Sequence, residues 1–460
     1  MALFKTRRNH GTRNGSPADV HPVDQVPPPA RMLAYGVQHV VAMYAGVVAP
    51  PLIIGEAIGL PPTDLTLLIG ASLFTAGIAT MLQSLGVWRV GARLPFVNGV
   101  TFGSVAPILA IVGQQTGQEN PLSVIYGSVL IAGVLAFLVA PYFSRLVRFF
   151  PPVVNGTVIT LIGLSLMPVA VGWIAGQDES APDYGAPGKI LLGASTFALV
   201  LLLNRFLKGF LNRIALLIGL VVGSLVAWPA GYVDTSTFAS APLFDLPVPF
   251  DLGAPAFSIT ATLSICIVML VAMMESTADM IALGEIVDRP ADEATIAAGL
   301  RADGAGSALA AVFGGFTCSA FAQNVGLVAL TRVRSRYVVA TGGGVLVLLG
   351  LFPMAGAVVS LVPQPVLGGA ALVLFGSVAA SGIRTLGRAD LGDPLNSLLV
   401  AGALGIGLVP VVAPGFYESF PSSLRTVLDS GISTGCIAAL LLNLLFNAFR
   451  RKTADTPENA

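Results

Sequence analysis

At 460 residues, 55% of them hydrophobic and only 10% charged, the chain cannot be an ordinary soluble globular protein, in which about a quarter of residues are charged. Its 24 cationic and 24 anionic side chains cancel, but the zero net charge hides a strong spatial pattern of the cations. Several apolar runs approach the ~20 residues that cross a bilayer, which makes this an all-α polytopic membrane protein.

Residues 1–30 are polar, basic and proline-containing (HPVDQVPPPA), with no apolar run of the signal-peptide kind. They are expected to form a disordered cytoplasmic tail, with a second short tail at 451–460. Between them fourteen spans are expected, starting near residues 32, 63, 94, 121, 150, 189, 214, 257, 298, 317, 338, 364, 392 and 429. With the N-terminus inside, every Lys and Arg of the 24 except Lys189 and Arg425 falls on the cytoplasmic side, as the positive-inside rule requires. An odd number of spans would scramble that pattern, so both termini are expected to be cytoplasmic.

The first span holds His39, the single histidine outside the tail, in AYGVQHVVAMYAG. It is expected to pack or hydrogen-bond within the helix, and its titration range also suits a proton carrier. The third span, LPFVNGVTFGSVAPILAIVG (94–113), and the tenth, GGFTCSAFAQNVGLVALT (314–331), are short, glycine-interrupted and polar at the front. Each is third in its half of seven. Paired interruptions of this kind mark inverted-repeat transporters, in which irregular backbone lines a cavity and its freed N–H and C=O groups can hold a ligand.

The eighth span, FSITATLSICIVMLVAMMESTADMIALGEIV, carries Glu275 and Asp279 on one helical face. Acids at bilayer depth cost several kcal/mol and usually face a cavity in which they work (~2.5–3.5 kcal/mol on insertion scales). Asp279 has two readings, a proton-carrying neighbour of Glu275 or an acceptor for backbone in a broken helix. In the ninth span Asp303 sits among small residues that suit close packing, with a proton-relay or structural role. Gln323 and Asn324 open the apolar part of the tenth span, and their amides offer the donors and acceptors that a flat heterocycle needs. Phe102, beside the other break, could stack on such a ring. Arg332, Arg334 and Arg336 read as topology anchors. Cys266, Cys318 and Cys436 sit in apolar context without CxxC spacing, so neither a disulfide framework nor a metal site is implied.

QNVGLVALTR (323–332) fits every fixed position of the nucleobase–ascorbate transporter signature, Gln/Glu/Pro-Asn-x-Gly-x4-Thr-Arg/Lys/Gly. QHVVAMYAG, LPFVNGVTF, FFPPVVNGTVITLIGLSL, the Glu275-x3-Asp279 pair and ADG at 302–304 follow in order, so the chain resembles this family over residues 32–450. The resemblance implies a seven-plus-seven inverted repeat (about 31–232 and 256–450) with short strands at broken segments 3 and 10. It also implies a core domain of spans 1–4 and 8–11 that moves against a gate domain of spans 5–7 and 12–14, usually in a homodimer. Glu275 would be the principal substrate carboxylate and Gln323 the second side-chain ligand, with backbone near Phe102 and Ala322 completing the site. Asp279, Asp303, His39 and Asn324 would support coupling and geometry. Gln323 with Asp279 is the combination of the xanthine/urate permease branch, where uracil carriers tend to have Glu and His.

The expectation is proton-coupled import of xanthine or urate through the cell (inner) membrane, with no cofactor and with proton favoured over sodium. Its partners would be the purine, membrane lipid and a second copy, with no nucleic acid. A uracil or broad nucleobase carrier is the alternative within transport, and an anion carrier of the related sulfate-transporter fold a more distant one. An intramembrane enzyme acting on a purine is disfavoured, because the chain has no HExxH or GxSxG motif and one membrane histidine cannot complete a nucleophile–base–orienter set.

Overall fold

The computed structural model describes residues 20–114, 120–143, 150–176, 181–233 and 244–448. In chain order the helices are α1 (Pro29–Ile58), α2 (Pro62–Leu85), α3 (Val105–Gln114), α4 (Pro121–Val139), α5 (Pro152–Ser165), α6 (Met167–Ala175), α7 (Pro187–Phe206), α8 (Ala215–Ala227) and α9 (Ile259–Ile286). They continue as α10 (Glu293–Phe313), α11 (Ala322–Thr331), α12 (Arg336–Leu351), α13 (Pro353–Ser360), α14 (Gln364–Leu386), α15 (Pro394–Val412), α16 (Ser422–Leu428) and α17 (Gly431–Asn443). Strands β1 (Asn98–Val100) and β2 (Cys318–Ala320) precede α3 and α11.

Among the described residues, nine helices are long and apolar enough to cross a membrane and four more are shorter and apolar. With α11 they account for the fourteen expected segments. The fifth segment is divided at Leu166 into α5 and α6. The ninth begins at Glu293, five residues before its expected start, because Asp292 caps it by accepting the Thr295 N–H at 2.8 Å. Proline opens α1, α2, α4, α5, α7 and α15, where its missing N–H would have no partner in any case.

The helices pack in two groups. In one, α2 lies on α12, α4 on α10, and α1 and α9 complete the set. In the other, α14 packs on α5, α6 and α7, and α15 packs on α17. The closest crossings need glycine. At Gly77 a Cβ would meet the Val347 amide nitrogen at 2.6 Å, and at Gly133 it would meet the Gly304 carbonyl at 2.8 Å. Each of these two crossings, α2 with α12 and α10 with α4, joins a helix of the first half of the chain to one of the second.

Residues 20–28, expected as part of a disordered tail, are instead docked. Asp24 pairs with Arg289 at 3.0 Å and with Arg336 at 2.7 Å, Ser335 Oγ donates to the Gln25 carbonyl at 2.6 Å, and Val23 is fully buried. Apolar burial and two ion pairs outweigh the polar composition that suggested disorder. Residues 1–19 and 451–460 lie outside the described residues.

Candidate functional site

The two broken segments meet as a two-stranded antiparallel ribbon, Asn98 opposite Ala320, Gly99 opposite Ser319 and Val100 opposite Cys318. Backbone bonds from Thr101 N–H to the Thr317 carbonyl (2.9 Å) and from Phe321 N–H to the Val97 carbonyl (3.1 Å) extend the ladder at both ends. A short ribbon surrounded by apolar helices has outward N–H groups that water cannot reach, and each needs a partner. Neighbouring hydroxyls supply them. Thr80 of α2 accepts the Asn98 N–H at 3.1 Å and donates to its carbonyl at 2.9 Å. Ser307 of α10 accepts the Cys318 N–H at 2.8 Å, and Ser276 of α9 accepts the Ala320 N–H at 3.0 Å.

Asp303, fully buried on α10, is held by the same assembly. Its Oδ1 accepts from the Asn98 amide at 2.6 Å and from the Gln83 amide at 3.2 Å. Gln83 is fixed in turn, donating to the Gly299 carbonyl at 3.1 Å and accepting the Ala92 N–H at 2.8 Å. Asp303 does not pair with Arg301, whose guanidinium donates to the Arg89 carbonyl.

Glu275 and Asp279 are half-buried, one turn apart on α9. Neither carboxylate makes a hydrogen bond to a described residue, so the backbone-acceptor reading of Asp279 does not appear in this arrangement. Glu275 is the chain neighbour of Ser276, whose hydroxyl holds the end of β2. Asp279 lies close enough to Glu275 and to Asp303 for electrostatic interaction with each.

His39 and Asn324, both buried, are joined directly. The Asn324 amide donates to His39 Nδ1 and to the His39 carbonyl, both at 3.1 Å. With the amide so oriented, neutral His39 carries its proton on Nε2.

Gln323 and Ala322 are exposed at the start of α11. Gln323 lines a cavity of about 250 Å³ between the two helix groups, shared with Arg213, Asn212, Asn204, Ser377 and Phe321. Glu275 and Phe102 are not on its walls. The Phe102 ring is buried edge-on against Phe375 of α14, centroids 5.9 Å apart, so in this arrangement it packs against the second helix group. The structure therefore gathers the acids around the ribbon and joins His39 to Asn324. Gln323 faces the cavity.

Gln83, Asn98, Ser276, Phe375 and Arg213 were not singled out from the sequence. Gln83 and Asn98 were detectable as amides inside apolar runs, whereas Ser276, Phe375 and Arg213 acquire meaning only through distant partners.

Fourteen apolar segments, two of them broken and meeting as a ribbon beside intramembrane acids, are the architecture of a membrane transporter. Residues 30–416 match the permease family of xanthine and uric acid permeases, and the chain belongs to this nucleobase–ascorbate transporter family. It is 41% identical over 426 residues to the uric acid permease PucJ of Bacillus subtilis, covering 92% of this chain and 94% of that one. It is 39% identical to the xanthine permease of the same organism (92% and 95% covered) and 39% identical to the uric acid transporter UacT of Escherichia coli (93% and 88% covered). Among solved structures, the transmembrane domain of the cyanobacterium bicarbonate transporter BicA superposes with a TM-score of 0.62 at 16% identity, covering 89% of this chain and 98% of that one. The murine anion transporter Solute Carrier 26 family member A9, in its inward-facing state, gives 0.61 at 12% identity, with 98% and 77% covered. These two show the shared fold alone.

Proposed function

We propose that this protein imports an oxidised purine, xanthine or urate, together with protons by alternating access. The observation that carries the reading is Glu275, a carboxylate with no hydrogen bond to any described residue, on the helix whose Ser276 holds the end of a strand ribbon packed among α1, α2, α9 and α10. A half-buried acid on a membrane-spanning helix, with no hydrogen bond to a described residue, is costly unless a ligand or a proton serves it. The names of the relatives, uric acid and xanthine permeases, support the substrate class.

In this reading Glu275 and Gln323 hold the purine edge, and backbone near Phe102 and Ala322 completes the site. Asp279, Asp303, His39 and Asn324 support proton coupling and site geometry. The helix group containing α1–α4 and α9–α12 is the moving core, and the group containing α5–α8 and α14–α17 is the gate. Protonation of the acids favours the loaded core, which couples the two fluxes. The protein acts in the cell (inner) membrane as a homodimer, with both termini cytoplasmic as the basic residues indicate.

Uptake of labelled xanthine and urate across an imposed pH step tests this. Wild type should take up at least one of them saturably, with the rate rising on outside acidification and insensitive to sodium. Glu275→Gln should lose most uptake while reaching the membrane in normal amount. Saturable uptake indifferent to Glu275 would overturn the site, and uracil outcompeting both purines would favour a pyrimidine carrier.

A further inference from the structure

Arg213 counts from the sequence among the basic residues of the cytoplasmic side, yet it lines the cavity that Gln323 faces. Every other residue on those walls is uncharged. The cavity opens between α1 and α11 on one side and α7, α8 and α14 on the other, and Arg213 belongs to the latter side. Its guanidinium donates to the Gly326 carbonyl at 3.3 Å.

Gly326 lies three residues after Gln323, on the same face of α11 and about 4.5 Å further along its axis. A Cβ there would meet Arg213 Nη1 at 2.9 Å, close enough to push that flexible side-chain end aside. The carbonyl occupies one N–H of a five-donor fork. Asn212, on the cavity wall, has its amide turned to the Asn204 carbonyl at 2.7 Å, which leaves its oxygen side for a ligand N–H.

We propose that Arg213, with Asn212 and Gln323, forms a second purine-binding position one helical turn beyond Gln323, selective for the anionic form of the substrate. Deprotonated oxidised purines present adjacent oxygen and nitrogen acceptors in one plane, which a planar guanidinium engages in bidentate fashion. A purine leaving Gln323 along α11 meets Arg213 next. The position acts as the exit-side station of the transport path, and the inference rests on the purine-transport reading.

The test is urate transport in oriented proteoliposomes, with KM measured separately at each face. Losing a charge-assisted contact corresponds to roughly 10-fold or more in affinity. Arg213→Gln should raise the urate KM by about that factor at the face onto which Arg213 opens and by less than about twofold at the opposite face. The rise should be smaller for xanthine in mildly acidic buffer, where it is mostly uncharged. Gly326→Ala, which keeps the charge but displaces the guanidinium, should follow Arg213→Gln, and Arg213→Lys should recover part of the loss. Equal KM changes at both faces, or none, overturn the inference. A wild-type protein that transports no purine defeats the functional reading itself, whereas an active wild type matched by Arg213→Gln at both faces defeats only this position.

Discussion

The Asn98 side-chain amide donates to Asp303 Oδ1 at 2.6 Å across 205 positions of sequence, fastening the first broken segment to a helix of the second half. Both residues are fully buried, so the carboxylate holds the ribbon in register, and its second amide donor comes from Gln83.

Asp303→Ala strips the buried Asn98 amide of its acceptor and takes one of two acceptors from Gln83, which keeps the Gly299 carbonyl. A buried donor left unpaired costs about 1–3 kcal/mol, so the substitution should lower the melting temperature of the detergent-purified protein and abolish uptake. Asp303→Asn keeps one acceptor oxygen and should lie between the two. Unchanged melting in the alanine variant would mean that the ribbon is held by something else.

The hydroxyls that satisfy the ribbon edge make a paired prediction. Ser276→Ala leaves the Ala320 N–H without its partner, and Ser307→Ala does the same to the Cys318 N–H. Each should cost about 1–3 kcal/mol in stability. Only Ser276 adjoins Glu275, so purine affinity should fall several-fold in Ser276→Ala beyond any change in Ser307→Ala. Isothermal binding of xanthine to the two purified variants separates these effects.

Most segment starts, and the positions of the two breaks, were legible in the sequence because the bilayer forces long apolar runs and tolerates irregular backbone only at a cavity. Glu275, Asp303 and Gln323 stood out for the same reason: polar groups in such runs are expensive. Their partners were not legible. Asn98 and Gln83 find Asp303 only when α2, the ribbon and α10 converge, and Arg213 looked like one more basic residue in a basic turn. The docking of residues 20–28 was hidden because Asp24 meets Arg289 and Arg336 from the ends of distant helices.

The run Gly342-Gly343-Gly344 should divide by position. A Cβ at Gly343 would meet the Gly77 carbonyl and Met81 Cγ at 2.8 Å, while one at Gly344 would meet nothing within 4 Å. Gly343→Ala forces α2 and α12 apart, and overpacking of this kind costs about 1–3 kcal/mol. Gly344→Ala gains helix propensity, about 0.5–1 kcal/mol. Thermal unfolding of the two variants should therefore shift in opposite directions.

Trp173 and Glu56 join the two helix groups on the side away from Arg213. The indole N–H of α6 donates to a Glu56 carboxylate oxygen of α1 at 2.6 Å, and Trp173 also walls an apolar cavity of about 100 Å³ shared with Val48, Ala49 and Leu52. If α1 moves with the core and α6 stays with the gate, this bond exists only while that side is closed. Trp173→Phe retains the ring and removes the donor. Hydrogen bonds to charged groups contribute about 1.5–3 kcal/mol, so the closed arrangement should lose up to roughly 10-fold or more in population. With Cys266, Cys318 and Cys436 replaced by serine, a cysteine at Ala49 should then react several-fold faster with an impermeant maleimide applied to that side. Saturating purine, which selects among the transporter's states, should change the labelling rate. Equal rates in Trp173→Phe and its parent would show that the contact fastens a static interface, and the division of the helices into moving and stationary groups would have to be redrawn.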